Sequence, residues 1–134
     1  MPQLMLNGWG KPAEKEWEWA SQTGLKNKEY PWANQVPSSS RDNYGRNVGK
    51  PTAVGSYPAN GYGLYDMTGN VGEWCRDWYD SGKYGRVLRG SNWAYTSNRL
   101  RVAYRSYYPG GRASCYGFRC VGVQEGLKVI SNRK

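Results

Sequence analysis

Histidine is missing from this 134-residue chain, phenylalanine occurs once, and cysteine occurs three times, as Cys75, Cys115 and Cys120. Without imidazole and without a C-x-x-C pair, a zinc site has too few ligands. The three thiols are expected to be reduced and mostly buried. No apolar run of about 18 residues exists, so no helix is expected to span a membrane. The opening MPQLMLNGWGK lacks the charged region and apolar core of a secretory signal. Carboxylates are missing from one long segment. Residues 81–124 hold Lys83, Arg86, Arg89, Arg99, Arg101, Arg105, Arg112 and Arg119 but no Asp or Glu, and so carry +8 of the formal net charge of +9.

What is present is aromatic. Seven Trp and twelve Tyr stand beside the single Phe, so the core must be built from rings whose N–H and O–H groups need partners. Eighteen Gly and seven Pro predict many turns and little regular structure. The length fits one domain over residues 1–134, and so many aromatics argue against disorder. A basic segment attracts nucleic acid or an acidic surface. Here no Lys-rich run accompanies the regularly placed arginines. They are expected to turn inward, onto backbone carbonyls and carboxylates such as Glu73 and Asp77. A nucleic-acid partner is therefore not expected.

One segment reads as a helix. Pro12 suits a first turn, Glu14 and Glu16 suit the positive end of the dipole, and Ala13, Trp17 and Ala20 share a face. Gly24 supplies a left-handed stop. Residues 33–58 are rich in Ser, Asn, Gly and Pro and read as a long irregular loop that something must pin. In residues 61–80, Trp74 and Trp78 stand four apart, as do Glu73 and Asp77, while Gly69 and Gly72 break any helix. Residues 87–90 and 117–123 read as short strands bounded by Gly. Residues 126–134 are polar and basic and are expected to form a flexible tail.

The blocks KPAEKEWEWA, NGYGLYDMTGNVGEWCRDWY, RVLRGSNW, LRVAYR and GFRCV follow one another in that order. Together they resemble the formylglycine-generating-enzyme-like domain, a divergent C-type lectin fold. The resemblance implies an α+β, loop-rich domain with short antiparallel strands and one or two helices. The portion that precedes the helix in that family is expected to be missing here. The family contains enzymes and non-enzymes, so the fold alone does not assign an activity. Its catalytic branch oxidises a sulfatase cysteine through a copper-binding cysteine pair soon after the Gly-Gly-Ser block. The matching stretch here reads RGSNWAYTSNRLRVAYR and has no Cys. Thiolate is the ligand soft enough for Cu(I). The related iron enzymes need His. Cys115 and Cys120 lie nearby, but Cys120 falls within the GFRC framework. The resemblance thus implies a non-enzyme; the alternative is a divergent formylglycine-generating (sulfatase-modifying) oxidase.

Between residues 91 and 116 the framework is interrupted by Ser91, Asn92, Ala94, Tyr95, Thr96, Ser97, Asn98, Arg99, Tyr104, Ser106, Tyr107, Tyr108, Gly110, Gly111, Ala113, Ser114, Cys115 and Tyr116. Tyr with Ser, Gly and Asn is the composition of an antibody paratope. The pattern is similar to the variable proteins of diversity-generating retroelements. In that family an adenine-directed process rewrites Asn codons near the C-terminus of a C-type lectin fold. Each residue type at these positions arises from AAY by changing adenines. Lys, Glu, Gln, Met and Trp do not, and none stands there. Any loop rich in Tyr, Ser and Gly shows a similar composition. The resemblance implies a surface that binds a protein or cell-surface ligand, displayed on a virion or cell surface within a larger assembly, by a monomer or a trimer. Trp93, Leu100, Val102, Phe118 and Val121 are then the core, and Arg89, Arg101, Arg105, Arg112 and Arg119 tie the loops together. It further implies structural calcium at Asp66, Gly69, Val71 and Glu73, two carboxylates and two carbonyls that suit a hard cation. A turn-capping Asp66 and an arginine-paired Glu73 explain the same residues without a metal. No other cofactor is required.

Overall fold

The computed structural model describes residues 10–24, 26–110, 113–124 and 127–130. Those residues contain helix α1 (Glu14–Ser21) and strands β1 (Gly72–Trp78), β2 (Arg86–Arg89), β3 (Arg105–Tyr108), β4 (Tyr116–Gly117), β5 (Val121–Gln124) and β6 (Leu127–Ile130), with a 3-10 turn at Ser97–Arg99. The helix begins after a buried Pro12, and its orphan amides are met by carboxylates. The Ala13 N–H donates to Glu16 (2.9 Å) and the Glu14 N–H to Asp77 (2.8 Å). Trp17 and Ala20 turn inward and are buried with Leu64, Met67, Cys75 and Val87. The chain leaves the helix through Gly24, at φ +71°, where a Cβ would strike the Tyr62 hydroxyl.

Four strands pair in the order β3-β2-β1-β4, antiparallel except for the parallel β1–β4 pair. Register places Glu73, Arg89 and Arg105 side by side on one face, and Trp74, Leu88 and Ser106 side by side on the other. The first face meets α1. There Arg89 donates to Glu14 (2.8 Å) and Glu18 (2.7 Å), and Arg105 also reaches Glu14 (3.0 Å). Burial raises the Glu14 pKa, but the Arg105 hydrogen bond and the charge of Arg89 more than offset it, leaving the carboxyl below its ordinary range.

Three expectations change. Residues 117–123 are not one strand, because the chain leaves β4 after Gly117 and re-enters pairing only at Val121, in a second sheet of β5 and β6. Phe118, expected in the core, lies in that break and is 47% exposed. Leu127–Ile130, inside the expected flexible tail, pairs with β5. The expected long loop is as irregular as its composition, and side-chain amides pin it. Asn70, at φ +56°, accepts from the Thr52 N–H (2.8 Å), donates to the Thr52 carbonyl (3.2 Å), and its own N–H donates to the Asn43 carbonyl (2.9 Å).

Candidate recognition surface

The framework arginines sort by depth. Arg119 is wholly buried; its Nε and Nη2 grip the Glu73 carboxylate (2.7 and 2.8 Å), and Nη2 also donates to the Tyr65 carbonyl (2.8 Å). Arg89 is as deep, with the Val102 carbonyl as a further acceptor (2.5 Å). Arg101 is not internal: its side chain is 60% exposed and meets Glu29 at 3.2 Å. Asp77 caps α1 instead of pairing with an arginine. Arg112 and Gly111 lie outside the described residues. Leu100, Val102 and Val121 are buried, whereas Trp93 is only half-buried.

Ser91 and Asn92 were expected on the surface and are buried, at 5% and 2% exposure. The chain turns sharply as it leaves β2, with Ser91 at φ +60° and its carbonyl packed against Gly72. The Asn92 amide oxygen accepts from the Ala94 N–H (2.9 Å), so this side chain builds the turn. The remaining positions that are described are exposed or half-buried: Ala94, Tyr95, Thr96, Ser97, Asn98, Arg99, Tyr104, Ser106, Tyr107, Tyr108, Gly110, Ala113, Ser114, Cys115 and Tyr116.

These residues form distinct patches. Tyr108 and Tyr116 gather with Trp74, their ring centroids 5.2 to 6.4 Å apart. Burial pushes the Tyr116 phenol up to about 12. Tyr107, the next residue on β3, points the other way, onto Tyr79 (4.7 Å) and Tyr84 (6.2 Å). Tyr95 and Tyr104 share the Arg99 guanidinium, at 4.1 and 5.8 Å. An open groove of about 650 Å³ runs beside Trp74, lined also by Pro51, Ala53, Val54, Ser114, Tyr116 and Phe118. Sequence reasoning missed Trp74 and the 51–54 wall. The available signal was the spacing of Trp74 four residues from Trp78, which does not mark an exposed face.

Of the four positions proposed for calcium, the two carboxylates have protein partners. Both Glu73 carboxylate oxygens face Arg119, and one also accepts from the Trp17 indole N–H (2.8 Å). Its charge is neutralised where it stands. Asp66 accepts from the Gly55 N–H (3.1 Å) as a turn-holding residue. Among the described residues no group of three or more His, Cys, Asp or Glu side chains is placed to hold a metal. Of the cysteines, Cys75 is buried and its pKa raised by that burial, while Cys115 and Cys120 are half-buried free thiols. No helix of the described residues is long and apolar enough to cross a membrane.

Comparison with known proteins agrees with this architecture. Residues 6–123 match the sulfatase-modifying factor enzyme 1-like domain. Serine/threonine-protein kinase pkn1 of Chlamydia caviae is 41% identical over 127 residues, 81% of this chain and 20% of that protein. Inactive C-alpha-formylglycine-generating enzyme 2 of Mus musculus is 36% identical over 129 residues, again 81% of this chain and 41% of that protein. The chain thus spans well under two thirds of these curated relatives. Treponema denticola variable protein 1 superposes with a TM-score of 0.76 at 37% identity, covering 84% of this chain and 47% of that one. Among the described residues, one helix, a small mixed sheet and long pinned loops are the C-type lectin architecture expected from the motifs, and the chain belongs to the sulfatase-modifying factor enzyme 1-like family, in the form shared with that variable protein.

Proposed function

We propose that this domain is a ligand-binding display module whose surface over residues 94–116 is diversified by a retroelement, and that it is not an oxidase. The observation that carries the reading is a partition of burial. Arg89, Leu100, Val102, Arg119 and Val121 are sealed inside, while every described interleaved position from 94 to 116 reaches solvent. Exposed substitutions usually change stability by under about 0.5 kcal/mol, so such a surface tolerates many side-chain sets. Large tyrosine rings with small polar neighbours suit a protein or cell-surface ligand. Display on a virion or cell surface, within a larger assembly, fits that use.

The DNA beside the gene tests diversification. The expected finding is a near-duplicate of the segment encoding residues 91–116 that differs only where adenines stand, next to a reverse transcriptase gene. Differences unrelated to adenine would remove the reading. The oxidase alternative draws on the family itself. It predicts aldehyde formation on a sulfatase-derived cysteine peptide with copper, and we expect none, because residues 90–104 offer no thiolate.

A further inference from the structure

Most described arginines have a polar partner. Arg76, Arg89, Arg101, Arg105 and Arg119 have carboxylates, and Arg86 donates to the Arg76 carbonyl. Arg46 and Arg99 differ. Neither guanidinium makes a hydrogen bond or ion pair to a described residue. Each lies instead on aromatic rings: Arg46 over Trp93 at 5.7 Å, and Arg99 over Tyr95 at 4.1 Å. The rings that carry them, Trp93 and Tyr95, are two residues apart in the chain. The loop that carries Arg46 is also fastened to both. The Gly45 N–H donates to the Tyr95 carbonyl (2.7 Å) and the Arg46 N–H to the Trp93 carbonyl (2.8 Å). Arg46 holds φ at +61°, a left-handed conformation that disfavours a side chain and persists only where surrounding contacts impose it.

We propose that Arg46 and Arg99 form an anion-recognition spot that takes a carboxylate of an acidic protein surface. Ring stacking uses the face of a guanidinium and leaves its N–H edge free, which is the geometry a carboxylate accepts in bidentate fashion. Guanidinium is weakly hydrated and already oriented here, so little ordering remains for the bound state. The protein's own charge agrees with the choice of ligand, because residues 81–124 contain no carboxylate to compete. Nucleic acid is disfavoured: it is held by a track of phosphate contacts, and here Thr96, Ser97 and Asn98 follow Tyr95 where further cations would be needed. Arg46 lies outside the diversified segment. It gives the surface a constant preference for acidic partners whatever residue stands at 99. The inference rests on the proposed surface only for the place of Arg99.

A fluorescein-labelled oligoglutamate peptide, followed by anisotropy at low and physiological salt, is the probe. Arg46→Ala and Arg99→Ala are each expected to weaken binding at least about fivefold, and the double variant to abolish it. Lys83→Ala, an exposed cation elsewhere, is expected to bind as the unaltered protein does. Melting curves confirm that each variant is folded. Unchanged binding in the folded double variant would overturn the proposal. So would a single-stranded DNA of equal charge that binds more tightly than oligoglutamate and loses as much on Arg46→Ala. Loss of the anion spot leaves the adenine-patterned repeat standing, and absence of that repeat leaves the anion spot standing, so the two failures are distinct.

Discussion

Arg119 and Arg101 carry the same charge into opposite surroundings. Arg119 is sealed against Glu73, and truncating it would leave a buried carboxylate without its two-pronged cation partner. Arg119→Ala is therefore expected to destabilise the domain by about 3–5 kcal/mol. Arg119→Lys should fail to rescue it, since a point charge cannot copy the two-pronged grip. Arg101 meets Glu29 in the open, and Arg101→Ala is expected to stay within about 0.5 kcal/mol. Urea unfolding compares the two directly, and equal losses would refute the sorting by depth. The sequence shows that arginines recur in the framework and offers Glu73 and Asp77 alike as their partners, of which Glu73 takes Arg119 and Asp77 caps the helix. It does not show which arginine goes inside. That depends on loops far away in the chain, and Arg101 and Arg119 look alike in the motif. The same limit explains Ser91 and Asn92, whose composition fits a paratope while the turn after β2 buries them.

At the scale of elements, α1 is legible because its signals are local: proline before it, acids in its first turn, an apolar stripe, and a glycine after it. The strand β1 is not. Its pairing with β2 shifts register between Trp74 and Trp78, so three intervening residues on β1 face the one residue Val87 on β2, and the sequence spacing imitates a helix turn. Alternation on β3 also has a functional consequence that the dipeptide Tyr107-Tyr108 conceals. The two rings serve opposite faces of the sheet. Tyr107→Ala and Tyr108→Ala are each expected to cost only about 0.5–1.5 kcal/mol from lost ring pairs. A cognate ligand abolished by one should be retained by the other. A ligand lost equally to both, with no change in melting, would mean one continuous face. Asn70 is one hub that holds the long loop. Asn70→Ala loses its side-chain hydrogen bonds and places alanine at φ +56°, so a loss of about 2–4 kcal/mol is expected. Limited proteolysis should then cut first within residues 33–58. Cleavage elsewhere first would show that the hub does not pin the loop.

For the whole molecule, a scaffold separate from its displayed surface implies stability without a metal. The melting midpoint is expected to be the same in calcium and in chelator, because Glu73 already has its cation in Arg119. A rise at millimolar calcium would restore Asp66, Gly69, Val71 and Glu73 as a site. The stronger demand on the scaffold is to survive wholesale change. Replace Tyr95, Tyr104, Tyr107, Tyr108 and Tyr116 together with Asn, the residue an unedited AAY codon encodes. The rings in question touch one another, Tyr79, Tyr84, Trp74 and Arg99, but they do not belong to the cluster around Trp17 and Met67. Their pairings sum to a few kcal/mol, less than the roughly 5–15 kcal/mol typical of a domain. The five-fold variant is therefore expected to melt lower yet still in one cooperative step, with the near-ultraviolet signal of a fixed Trp17 retained. Loss of that signal together with a broad transition would mean that the displayed tyrosines hold the fold, and a surface that holds the fold is not free to vary.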